Sequence, residues 1–250
     1  MALWTSNEIK MATRGIGSGD WVVEGISIDS RTLQSGDLFV AITDQRDGHD
    51  YVENAFKNGA VGALVSYIPA ALKDDGRLIV VPDVLEALQN LAAAARERFT
   101  GKIIAVTGSV GKTSTKEMLN VALKNQGIVH ASDKSFNNQW GVPLTLARMP
   151  PNADFAIIEM GMNKSGEIKE HSSLARPNIV LITEVKNVHM SNFEDINKIA
   201  LAKSEIFSGL EVGGLALVNS DVSTIDIIER SLQDPTVNLQ KFGIKGPDWC

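Results

Sequence analysis

The chain has 250 residues, of which 44% are hydrophobic and 22% charged, and its formal net charge is −6. This composition is typical of a globular protein of one or two domains, and the acidic balance argues against a nucleic-acid partner. The single cysteine, Cys250, excludes an intrachain disulfide framework and a cysteine-ligated zinc site, and it favours a reducing cytoplasm. No apolar run approaches the roughly 20 residues that span a bilayer, so no membrane partner is expected.

The first hundred residues alternate short strand and helix patterns, which indicates an α/β fold. Strands are predicted at 22–28, 37–42, 63–66 and 78–81, and helices at 8–12, 51–58 and 83–99. Thr100–Gly101 then breaks the apolar pattern. A domain boundary is therefore expected there, between an N-terminal domain at 1–99 and a central domain at 100–250.

The remaining residues alternate more regularly. Strands are predicted at 102–107, 128–131, 155–160, 179–183, 215–219 and 237–242, and helices at 113–125, 165–174, 194–209 and 223–232. The continuous apolar runs at 103–106 and 179–182 are typical of buried parallel strands. A doubly wound, mostly parallel sheet follows, and such a sheet binds its ligand at the carboxyl ends of the strands.

A glycine-rich turn connects the strand at 102–107 to the next predicted helix. Its two glycines allow a sharp turn whose N–H groups face phosphate oxygens at a helix N-terminus. In such a loop Lys112 contacts the β and γ phosphates of ATP, and the Thr113 hydroxyl binds Mg²⁺. The predicted nucleotide site comprises Gly108, Ser109, Val110, Gly111, Lys112, Thr113 and Ser114. Val106 stands where the usual consensus has its first glycine, and the alternative is a turn that only connects two elements.

Several separated motifs resemble the Mur ligases, the ATP-dependent enzymes that add amino acids to the peptidoglycan precursor. The loop at 107–114 resembles their phosphate loop. Three segments resemble the N-terminal domain of the two later ligases, namely Asp-Ser-Arg at 29–31, Ser-Gly-Asp-Leu-Phe-Val-Ala at 35–41 and Asp-Gly-His-Asp at 47–50. Three further segments resemble the one ligase that acts on a UDP-N-acetylmuramoyl-tripeptide, namely Ser-Phe-Asn-Asn at 135–138, Gly-Val-Pro-Leu-Thr at 141–145 and Glu-Met-Gly-Met-Asn at 159–163.

The resemblance implies an acid–D-amino-acid ligase of the cytoplasm that joins D-alanyl-D-alanine to that tripeptide through an acyl phosphate, with ATP and Mg²⁺. The sibling reaction, which adds the third amino acid, and an unrelated P-loop kinase or GTPase stay open. The family pattern also has a later His-Asn-x-x-Asn segment and a C-terminal domain that these 250 residues do not include. A truncated chain that binds ATP and UDP-substrate without turnover, or one that needs a complementing C-terminal chain, is therefore a second expectation.

The resemblance also assigns catalytic and metal-binding side chains, with Lys112 among the catalytic ones. Glu159 is implied as a magnesium ligand, and the alternative is a solvated or capping carboxylate. His189 is implied as a second magnesium ligand, although residues 184–188 depart from the family pattern and a structural histidine is the alternative. Lys203, fourteen residues later, is implied to become carbamylated and help hold magnesium. The alternative for Lys203 is a solvated surface charge.

Three further groups concern substrate and nucleotide. Ser30 and Arg31 resemble contacts to the uridine nucleotide, and a surface salt bridge is the alternative for the arginine. Asn137 and Asn138 resemble contacts to the sugar-peptide substrate, and ordinary turn chemistry is the alternative. Asn219 ends a predicted strand and is expected near the nucleotide.

Overall fold

The computed structural model describes residues 2–133, 136–187 and 193–244. The chain divides into two compact units. The first consists of Met1–Arg98 and Leu146–Pro151, and the second of Phe99–Thr145 and Asn152–Cys250. No helix in the described part of the chain combines the length and apolar character needed to cross a membrane.

The first unit contains six short strands in two sheets. They are β1 (Trp4–Thr5), β2 (Val22–Val23), β3 (Gly25–Ser27), β4 (Asp37–Val40), β5 (Gly62–Val65) and β6 (Leu78–Val80). Strands β1 and β2 pair antiparallel, whereas β3, β4, β5 and β6 form a parallel sheet in that order. The helices are α1 (Ser6–Thr13), α2 (Val52–Lys57) and α3 (Val84–Arg98), with 3-10 turns at Gly48–Tyr51 and Ala70–Leu72.

The single strand predicted at 22–28 is wrong. Val22–Val23 pairs antiparallel with Trp4–Thr5, while Gly25–Ser27 pairs parallel with β4 in a different sheet. Glu24 lies between them, and its backbone N–H donates to the Gly36 carbonyl at 2.9 Å. An apolar run predicts extended backbone, but it does not predict which strand that backbone pairs with. Two strands of different sheets were therefore predicted as one.

The second unit is built on a six-stranded parallel sheet. Its strands are β7 (Lys102–Thr107), β8 (Val129–Ala131), β9 (Phe155–Glu159), β10 (Ile179–Ile182), β11 (Leu215–Asn219) and β12 (Asn238–Phe242). Their order is β12-β11-β10-β7-β9-β8, so the chain moves to one side of β7 and then to the other. The helices are α4 (Lys112–Leu123), α5 (Gly141–Ala147), α6 (Glu167–Ala175), α7 (Ile196–Ser204) and α8 (Ile225–Ser231), and a 3-10 helix at Glu205–Gly209 follows α7. The last two residues of α5 belong to the first unit.

Both faces of this sheet are covered. Ile104 and Val106 of β7 lie in a core cluster with Leu119 and Leu123 of α4. Because side chains alternate along a strand, Ile103 and Ala105 face the other way, and both are fully buried. The predicted α/β class with a doubly wound parallel sheet is therefore confirmed.

Two helix predictions need correction. Helix α5 was not predicted, because its seven residues begin with glycine and include Pro143. Proline is tolerated there because the first helical turn has no N–H bond to lose. The helix predicted at 194–209 is divided into α7 and the 3-10 helix Glu205–Gly209.

Candidate nucleotide and metal site

The phosphate loop lies between β7 and α4, as its sequence predicted. Gly111 has φ +89°, a left-handed conformation that favours glycine. A Cβ atom on Gly108 would collide with the hydroxyl of Thr183, which follows β10. Gly111 therefore allows the turn itself, and Gly108 allows the close approach of the residue that follows β10.

Residues after β10 fix this loop through hydrogen bonds. The Thr183 hydroxyl donates to the Val110 carbonyl at 2.6 Å, and the Ser109 N–H donates to the Glu184 carbonyl at 2.6 Å. The Ser109 hydroxyl also donates to the Lys186 carbonyl at 3.1 Å. Ser109 and Val110 thus hold the shape of the loop, while Ser114 is exposed on the first turn of α4.

Lys112 begins α4 and folds back over the loop. Its Nζ donates to the Gly108 carbonyl at 2.8 Å. Burial lowers the pKa of Lys112, and the charge of nearby Glu159 partly opposes that shift. A cation held at the mouth of a phosphate loop is placed to neutralise an entering anion.

Glu159 ends β9 and is 1% exposed. Its Oε2 accepts the Thr113 hydroxyl at 2.9 Å, and its Oε1 accepts the Asn137 amide at 2.7 Å. Its backbone N–H donates to Ser132 Oγ at 3.0 Å. A buried carboxylate requires such partners. The arrangement places the side chain beside the hydroxyl at the start of α4, as a shared cation site requires.

A cavity of about 180 Å³ lies beside these groups. Its lining consists of Gly108, Lys112, Asn137, Asn138, Gly161, Met162, Asn163, Glu167 and Lys203. The structure therefore brings five of the predicted site residues together on one cavity. The sequence analysis assigned no role to the lining residues 161–163, which belong to the motif at 159–163, or to Glu167.

Lys203 lies near the end of α7 and is 3% exposed. Burial, with a smaller contribution from the charge of Lys112, lowers its pKa to about 7. Its Nζ has no hydrogen-bond or ion-pair partner within residues 2–133, 136–187 and 193–244. The alternative of a solvated surface lysine is wrong, because the side chain is buried at the cavity.

Three other predicted residues, Asn219, Ser30 and Arg31, are not among the lining residues of this cavity. Asn219 accepts the Asp221 N–H at 2.9 Å in a local turn after β11. Ser30 is buried in the first unit, and Arg31 is exposed there and pairs with Asp29 at 2.7 Å. His189 lies outside the described residues.

Two protein-family descriptions match parts of this chain. The description "Mur ligase family, catalytic domain" matches residues 22–96, and "Mur ligase middle domain" matches residues 106–250. A UDP-N-acetylmuramoyl-tripeptide–D-alanyl-D-alanine ligase of Rickettsia prowazekii is 36% identical over 242 residues, which cover 96% of this chain and 54% of that protein. The chain spans about half the length of the curated relatives it matches.

Solved structures agree. MurF from Acinetobacter baumannii superposes with a TM-score of 0.85 at 30% identity, over 98% of this chain and 55% of that one. MurF from Thermotoga maritima, solved in complex with ADP, gives 0.75 at 27% identity, over 90% and 51%. With a family match over more than half of its residues and a phosphate loop in the expected place, this chain belongs to the Mur ligase family.

Proposed function

We propose that this chain supplies the ATP site and part of the UDP-substrate site of an acid–D-amino-acid ligase of peptidoglycan precursor synthesis. The reaction is the ATP-dependent addition of D-alanyl-D-alanine to UDP-N-acetylmuramoyl-tripeptide, the activity named for the Rickettsia relative. One observation carries the proposal. Lys112 and Lys203 line one polar cavity together with Asn137, whose amide donates to Glu159 at the carboxyl end of β9. The chain aligns over 96% of its length with that ligase.

The chemistry has two steps. A carboxylate oxygen of the tripeptide attacks the γ-phosphorus of ATP, the bond to the bridging oxygen breaks, and ADP leaves. The amine of the dipeptide then attacks the acyl phosphate carbonyl, loses a proton, and expels phosphate. Both steps gather anions, so positioning and charge neutralisation dominate. The loop N–H groups and Lys112 neutralise the ATP phosphates, and the ADP bound in the Thermotoga structure supports this assignment.

The residues present fit Mg²⁺. Magnesium typically takes one or two protein carboxylates and completes its shell with water and phosphate oxygens. Thr113 and Glu159, whose side-chain oxygens are 2.9 Å apart, would hold it, and it would neutralise charge on the transferred phosphoryl group. Among the described residues no cluster of three or more His, Cys, Asp or Glu side chains is placed to hold a metal.

Lys203 is proposed to carry a carbamate. Its neutral amine attacks CO₂ to form an N–C bond, and one proton is released, which leaves a carboxylate on the side chain. With a pKa of about 7, near half of the amine is neutral at neutral pH, whereas an ordinary lysine is almost fully charged. The product would add a second anionic oxygen donor for the metal. His189 remains proposed as a further ligand.

The two parts of the chain are proposed to divide the substrates. Residues 1–99 bind the UDP-substrate, with Ser30 and Arg31 as contacts, and residues 100–250 bind ATP, with Asn219 near the nucleotide. Asn138 lines the cavity and is proposed to contact the sugar-peptide. A complementing C-terminal chain is proposed as a further partner.

Phosphate release tests the function. The purified chain is given ATP, Mg²⁺, UDP-muramoyl-tripeptide and D-alanyl-D-alanine, and each component is left out in turn. Release that requires all four supports the ligase, and its loss in Lys112→Ala but not in Lys124→Ala ties it to the phosphate loop. Lys124 is the matched control because it is exposed at the far end of α4.

A second candidate is binding of ATP and UDP-substrate without turnover. It predicts no phosphate release but ATP binding that Lys112→Ala removes. Release that needs ATP alone contradicts both candidates and favours an unrelated P-loop kinase or GTPase.

A further inference from the structure

The two carboxylate oxygens of Glu159 face different kinds of neighbour. Oε2 lies 2.9 Å from the Thr113 hydroxyl, at the start of the phosphate loop helix. Oε1 lies 2.7 Å from the amide nitrogen of Asn137, on the opposite side of the carboxylate. An ionised carboxylate only accepts hydrogen bonds, so the amide must turn its NH₂ group toward Oε1.

Asn137 is held in that position from two sides. Its backbone carbonyl accepts the Gly161 N–H at 2.8 Å. Gly161 also has no side chain, and a Cβ atom there would lie 2.6 Å from Asn137 Oδ1. The turn that follows β9 therefore leaves space for one asparagine amide and fixes it against the carboxylate that ends the same strand.

This contact limits how Glu159 is able to meet a cation. A metal ion that approaches Oε1 meets the positive end of the amide dipole, whereas Oε2 accepts a hydroxyl whose lone pairs are themselves ligands. Mg²⁺ is small and requires near-octahedral geometry, while Ca²⁺ readily takes both oxygens of one carboxylate. A carboxylate with one oxygen engaged therefore suits the smaller ion.

We propose that Asn137 is a specificity-determining residue that favours Mg²⁺ over Ca²⁺ by keeping Oε1 of Glu159 engaged. This role rests on the metal site of the proposed function and adds to the substrate contact predicted for Asn137. The residue acts through Glu159 and selects the ion without itself binding it.

The test is the ratio of two ADP affinities, measured by calorimetry at saturating Mg²⁺ and at saturating Ca²⁺. The wild-type chain is expected to bind ADP more tightly with Mg²⁺. In Asn137→Ala the Mg²⁺-to-Ca²⁺ ratio is expected to fall by about tenfold, the size of one charge-assisted hydrogen bond. Asn137→Ser gives the same result, because serine is too short to reach Oε1 and the backbone bond to Gly161 persists.

Asn125→Ala is the matched control. Its side chain is exposed just after the end of α4, so its loss is expected to leave the ratio unchanged. A ratio that stays at the wild-type value in both Asn137 variants overturns the proposal while the metal site stands. If Glu159→Gln leaves both affinities unchanged, the metal site itself is wrong, and the proposal falls with it.

Discussion

Replacing Lys203 by methionine is expected to stabilise the protein. The buried amine has a pKa of about 7, against an ordinary value of 10.5 in the unfolded chain. Proton linkage converts these two values into a destabilisation of about 4 kcal/mol at pH 7, which methionine of similar length removes. Above pH 7 the unfolded chain binds more protons at this site than the folded one. The stability of the wild type therefore rises with pH, and the gap shrinks to about 2 kcal/mol at pH 9.

Urea unfolding in bicarbonate-free buffer measures this gap at both pH values. Lys198→Met is the matched control, because Lys198 is exposed on the same helix and its loss is expected to change stability by less than about 0.5 kcal/mol. If Lys203→Met is only as stable as the wild type at pH 7, or if the gap between them does not change from pH 7 to pH 9, the lowered pKa of Lys203 is wrong.

Three further predictions concern the same unit. Burial lowers the pKa of His171 to about 4, so the unfolded chain binds a proton there as the pH falls from 7 to 5 and the folded chain does not. Urea unfolding should show that the wild type loses about 2 kcal/mol more stability over this range than His171→Leu, and equal losses would contradict this. Gly108→Ala should weaken ADP binding at least about tenfold by calorimetry, because the added methyl group clashes with the Thr183 hydroxyl and such a clash costs more than about 1.4 kcal/mol. Gly213→Ala should leave ADP binding unchanged, because Gly213 also has a positive φ but a Cβ atom there meets open space. Both oxygens of Glu205 accept the Gly166 N–H before α6, so Glu205→Ala should lower stability by about 1–2 kcal/mol while Glu205→Gln retains most of it.

The central sheet was predictable because its signals are local. Continuous apolar runs identify buried parallel strands, and the two glycines before Lys112 mark the turn into α4. Helix α5 was not predicted because Gly141 and Pro143 are unfavourable inside a helix. The helix forms because both residues lie in its first turn and because its side chains are buried.

Five of the predicted residues line one cavity, but the contacts that hold the site together were not predictable. A lysine on a helix is usually solvated, and the burial of Lys203 depends on neighbours that are distant in sequence. The same holds for the bond between Asn137 and Glu159, 22 positions apart. Glu205 illustrates the limit further, because its carboxylate caps α6, which begins 38 positions earlier at Glu167.

Binding of ATP and Mg²⁺ at the phosphate loop is best measured by calorimetric titration of ADP with Mg²⁺ into the wild type, Lys112→Ala and Lys124→Ala. We expect one site that the wild type and Lys124→Ala share and that Lys112→Ala loses. Binding of equal strength in all three proteins would show that Lys112 does not form the nucleotide site.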